Sequence, residues 1–179
     1  MKLKQIFACL GIFVSTIAYG KEGSRTVEVA NCLRVVASDN EAAALASLKS
    51  TEGREISEME RKEYQAQARI EDSKTASRVQ SCITSEQAHA LGGLSFYEDG
   101  GWLQRCGQRR VGSIDLNMAA NYLPIETGID SSPFFKGQSF AQEKARNIKS
   151  GSIEATTICA QIYEDFGPKG LVFPGLVGR

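Results

Sequence analysis

The chain has 179 residues, 42% hydrophobic and 8% aromatic, with 21 basic and 21 acidic side chains that cancel. A chain of this length and apolar content can bury a core of its own, which argues against global disorder. The zero formal charge lacks the basic footprint of a nucleic-acid binder, so no nucleic-acid partner is expected.

Residues 1–20, MKLKQIFACLGIFVSTIAYG, have the three parts of a secretory signal peptide. Lys2 and Lys4 form the charged start, Ile6 to Ala18 is a mostly apolar run, and Ala18 and Gly20 put small residues at the −3 and −1 positions before Lys21. The run is shorter than the ~20 apolar residues of a membrane helix, so cleavage is expected, with no transmembrane anchor left behind. Cys9 is assigned to the leader, because bulky Phe7 and a short apolar lead-in do not suit lipid attachment. Residues 21–179 are then expected to form a single helical domain in a periplasmic or secreted location. Without Lys2 and Lys4 its charge balance is about −2.

The exported part keeps Cys32, Cys82, Cys106 and Cys159. An even count in an oxidising compartment predicts two disulfides. Three pairings are open; Cys32–Cys82 with Cys106–Cys159 is favoured because it joins helix to helix within each half. The wide spacing and the single histidine, His89, give no zinc-ligand pattern, so no metal or other cofactor is expected.

Along the chain, Val29, Cys32, Leu33 and Val36 share one face of a helix over 27–37, although the β-branched residues there also allow a strand. Ser38-Asp39-Asn40 reads as a break in which Asp39 or Asn40 caps the next helix. Residues 40–82 are rich in Ala, Glu, Lys, Arg and Gln and predict helices over 40–51 and 54–82, interrupted near Gly53. Their apolar positions are Leu45, Leu48, Ile56, Met59, Ala66 and Ile70, with heptads too broken for a coiled coil. Thr84 or Ser85 caps a helix over 85–91 that Gly92-Gly93 is expected to end. Residues 94–113 read as a glycine-rich loop in the middle of the chain. Asp115 caps 116–122, Ser132 with Pro133 opens a helix reaching about Lys149, and Ser152 opens the last helix, which Gly167-Pro168 ends. On that helix Ile158, Cys159, Ile162 and Phe166 share a face. The tail over 170–179 is apolar and non-helical, either packed back over the last helix or free to dock a partner. The fold class is therefore all-α: five or six helices around one core, with two disulfides.

The glycine-rich segment holds the candidate site residues. Glu98 and Asp99 are neighbouring carboxylates able to divide acid and base roles if their surroundings differ. Tyr97 and Trp102 offer rings for stacking on a sugar or a partner protein. Arg105 and Arg109 would share a helix face and hold an anion, with Arg110 beside them. His89 is the only residue from which a serine-type triad could be built, and no nucleophile motif accompanies it. These features favour an exported binding, inhibitor or assembly-accessory protein of a bacterial-type envelope, with an envelope or extracellular protein as partner. The alternative is an enzyme acting on cell-wall glycan through Glu98 or Asp99.

Overall fold

The computed structural model describes residues 7–146, 148 and 152–179, with 7–24 and Glu126 described by backbone alone. The expected signal peptide, its cleavage site included, lies outside the residues whose side chains are described. The chain runs through α1 (Phe7–Thr51), α2 (Glu58–Cys82), α3 (Ser85–Asp99), the single turn α4 (Trp102–Arg105) and β1 (Arg109–Arg110). It continues through α5 (Leu116–Tyr122), the single turn α6 (Pro124–Thr127), α7 (Pro133–Ala145), α8 (Ile153–Phe166) and β2 (Val177–Gly178). Apart from a two-residue antiparallel pairing of β1 with β2, the described fold is all-α. Both disulfides join the favoured partners, Cys32 with Cys82 and Cys106 with Cys159. Among the described residues no helix is long and apolar enough to cross a membrane.

α1 does not break at Ser38-Asp39-Asn40. The polar side chains expected to cap a new helix bond sideways instead. Asp39 pairs with Arg78 of α2 at 2.6 Å, and Asn40 donates to the Tyr122 hydroxyl of α5 at 2.7 Å. Val29, Leu33 and Val36 are buried on the expected face, joined by Thr26 one turn earlier. α2 starts at a capping box in which the Ser57 hydroxyl accepts from the Glu60 amide while Glu60 accepts from the Ser57 amide. From Glu41 to Lys74 no residue is buried. Leu48 and Met59, expected to continue an apolar pattern, are 65% and 73% exposed. This stretch is an arm standing clear of the core. It is held by local ion pairs such as Glu58–Lys62 and Lys74–Glu71 that are exposed and contribute little individually.

The second departure from expectation is at Gly92-Gly93, which lies inside α3. The helix ends only at Asp99, before Gly100 and the left-handed Gly101 (φ 70°), so the loop expected over 94–113 shortens to the turns around α4 and β1. Helix propensity is overridden by packing. α3 lies against α7 so closely that a Cβ on Gly92 would sit 1.9 Å from the Phe134 carbonyl oxygen. A Cβ on Gly137 would sit 1.9 Å from that of His89. The two helices meet backbone to backbone, and only glycine fits. Phe134 is then buried completely in the core, beside Leu91 and Leu94 of α3.

α8 buries Ala155, Ile158, Ile162 and Phe166, close to the expected face. The tail packs back on it. The Phe166 and Phe173 rings stack at 6.5 Å, and Phe173, Leu176 and Val177 are fully buried. Tail amides satisfy the orphan carbonyls of the helix end: Leu171 donates to Glu164, and Val172 and Phe173 donate to Asp165. The Thr26 hydroxyl donates to the Pro174 carbonyl at 2.9 Å, tying the tail to α1.

The neighbouring glycines of α3 give opposite expectations. Gly92→Ala forces the helices apart and should cost about 3 kcal/mol or more, lowering Tm by roughly 6–12 °C. Gly93→Ala places its Cβ at ordinary contact distance, 3.7 Å from the Gly137 oxygen. It should be neutral or stabilise by ~0.5–1 kcal/mol, because alanine loses less backbone freedom in a helix. Thermal melts of the two variants check this.

Candidate functional site

The structure divides the sequence-predicted site residues between core and surface. Trp102 is 5% exposed and offers no free face for stacking on a ligand, whereas Tyr97, though largely buried, lines a concavity between α3, α7 and α8. The Arg105 guanidinium covers the Trp102 ring at 5.1 Å. Trp102→Ala would therefore cost ~3–5 kcal/mol as a core cavity. Arg105 ends α4 and Arg109 lies in β1, with Cys106–Gln108 turning between them, so the two do not share a helix face.

Glu98 and Asp99 line a polar cleft of about 460 Å³ together with Ser95, Arg110, Asp115 and Asn117. Each carboxylate there has structural work. Glu98 pairs with Arg110 (Oε1 to Nε, 3.2 Å), and Arg110 also donates to the Ile114 carbonyl. Asp99 accepts from Ser95 at 3.5 Å. Asp115 caps α5 by accepting from the Asn117 and Met118 amides. Among the described residues no group of three or more His, Cys, Asp or Glu is placed to hold a metal ion.

A second concavity, about 210 Å³, lies between α3, α7 and α8. It lies beside the glycine crossing of α3 and α7, and Gly93 and Gly137 line it. Its floor is apolar, formed by Leu94, Ala141, Ile162 and Phe166. Glu86, His89, Gln161 and Asp165 bring polar groups to it, and the His89 ring lies 5.8 Å from that of Phe140. Burial pushes the Asp165 carboxyl above its ordinary range, and the charge of Glu164 pushes the same way. Lys144 and a hydrogen bond from Gln161 pull it back in part. Tyr97 is raised as well, first by burial and then by the charge of Asp165. At the rim the Lys144 ammonium donates to the Gln161 side-chain oxygen and lies 5.2 Å from the centre of the Phe140 ring.

Sequence reasoning singled out His89 but not Asp165, which sits in Y-E-D-F at the polar-looking end of a helix. The available signal was its spacing, three residues after Ile162 and four after Gln161, which puts it at the edge of the buried face. No family model, curated protein or solved structure matches the chain.

Asp165 generates a pH-dependent expectation. A carboxyl raised on folding binds more protons folded than unfolded, so its contribution to stability falls as pH rises from 3.8, its ordinary value, through the folded value. The penalty is complete at neutral pH. Asp165→Asn should raise Tm at pH 7 and change it little near pH ~3, below the ordinary carboxylate range. Melts of both proteins across that range check the sign.

Proposed function

We propose that this is an exported, non-catalytic binding protein that recognises a protein partner in the envelope or outside the cell. The observation that carries the reading is the groove between α3, α7 and α8. It combines an apolar floor with a few convergent polar groups and a carboxyl held above its ordinary range, the combination expected of a recognition site. At about 210 Å³ it is smaller than the ~300–1,000 Å³ of small-molecule pockets and suits a side chain projecting from another protein. Two disulfides are in keeping with an oxidising compartment. The glycan-enzyme reading has one observation in its favour, the polar cleft that gathers Glu98, Asp99 and Asp115. Against it, Glu98 is already engaged by Arg110.

Cross-linking and co-purification from an envelope fraction, followed by reconstitution from purified components, tests the binding reading. A partner at fixed stoichiometry is expected. Turnover of peptidoglycan that falls ~10²–10⁴-fold in folded Glu98→Gln or Asp99→Asn would overturn it in favour of acid–base catalysis.

Export has its own readout in the cysteine count. Four of the five cysteines are paired and the fifth, Cys9, belongs to the proposed leader. Denatured, unreduced protein from an intact host should contain no free thiol and begin at or near Lys21. One thiol per chain, with Met1 retained, would refute cleavage.

A further inference from the structure

The groove carries information about what enters it. Its lining includes the carboxylates of Glu86 and Asp165 and neither lysine nor arginine. Glu164 adds its charge to the field at Asp165. Gln161 and Asp165 stand one turn apart on α8, where Gln161 donates to Asp165 and its own oxygen accepts from Lys144, so the Asp165 carboxylate is the acceptor left at this edge. The protein's own Lys144 shows that this edge takes a cation, since its ammonium bonds to Gln161 above the face of Phe140. Lys144 is an exposed side chain at the rim and leaves the apolar floor uncovered.

Deepening the binding reading, on which it rests, we propose that the groove receives an arginine side chain of the partner protein. Its methylene stem would lie against Leu94, Ile162 and Phe166, and its guanidinium would meet the two carboxylate oxygens of Asp165. Arginine fits better than lysine for two physical reasons. Its planar fork can engage two acceptors at once, where an ammonium acts as a point charge. It also stacks on aromatic faces and is less strongly hydrated, so less is lost on entering an apolar groove. An acidic or purely apolar anchor would leave Asp165 in partly buried surroundings with only the exposed Lys144 as a counter-charge.

The test is a titration of the ¹⁵N-labelled full chain with the capped peptide acetyl-Ala-Arg-Ala-amide, followed by amide shifts. Its counterpart carries citrulline, which keeps the shape but removes the charge and replaces one terminal NH2 donor with a carbonyl oxygen acceptor. Saturable shifts are expected at Gly93, Gly137, Gln161 and Asp165, with millimolar affinity. The citrulline peptide should bind about tenfold or more weaker, as should arginine peptide to Asp165→Asn. Gly93→Leu, whose side chain fills the groove, should abolish the shifts. If that variant fails to fold, Asp165→Asn alone carries the comparison. No saturable shift at these amides overturns the proposal, and so does equal binding of the citrulline peptide. Binding of free methylguanidinium with exclusion of the capped peptide also overturns it, because it marks a small-molecule site. The two readings fail separately. A partner that co-purifies while the peptide gives no groove shifts leaves the binding reading standing and removes arginine from the groove.

Discussion

The rest of the structure depends on the contact between α3 and α7. The backbones touch at Gly92 against the Phe134 carbonyl and at Gly137 against the His89 carbonyl. That approach has three effects. It drives Phe134 into the core against the helix that carries Leu91 and Leu94. It lets a helix with two adjacent glycines persist to Asp99, because tertiary contact repays a propensity cost of ~1 kcal/mol per glycine. It also sets Gly93 and Gly137 in the lining of the groove between α3, α7 and α8. Core and groove are thus two sides of one crossing.

The remaining constraints hold the outer pieces onto that crossing. Cys106–Cys159 ties the turn after α4 to α8, and Gln108 adds a hydrogen bond to the Cys159 carbonyl at 3.0 Å. The tail then runs from the end of α8 past α1 to pair with β1. Asp165 links these levels. Its backbone carbonyl receives the tail amides while its side chain faces the groove, so the residue that disfavours stability by its charge also sits where the tail locks down.

Much of the fold is legible in the sequence because its signals are local. Asp115 and Ser152 cap the helices that follow them, and Pro133 opens α7 as its fixed φ allows. The favoured cysteine pairing is the one observed, although Cys106 lies in the turn after α4 and not in a helix. What the sequence hides is non-local. Asp39 and Asn40 look like caps because nothing nearby reveals Arg78 and Tyr122 waiting on other helices. Gly92-Gly93 looks like a stop because its reason lies some forty residues away in Phe134. Leu45, Leu48, Met59 and Ile70 look like the start of a core because periodicity cannot say whether a partner surface exists. For the site, aromatic and charged residues near glycine draw the eye to Trp102 and Glu98, whereas Asp165 becomes conspicuous only once α3 and α7 are seen to leave room beside it.

The arm from Glu41 to Lys74 lies wholly between Cys32 and Cys82. Every peptide bond in it is therefore inside a covalent ring, and none of its residues contributes to the core. A protease that nicks the exposed tip around Gly53 opens the ring without dividing the molecule, and the two pieces separate only when the disulfide is reduced. In an environment rich in proteases, this exposed arm can be cut while the groove and its supporting helices stay assembled.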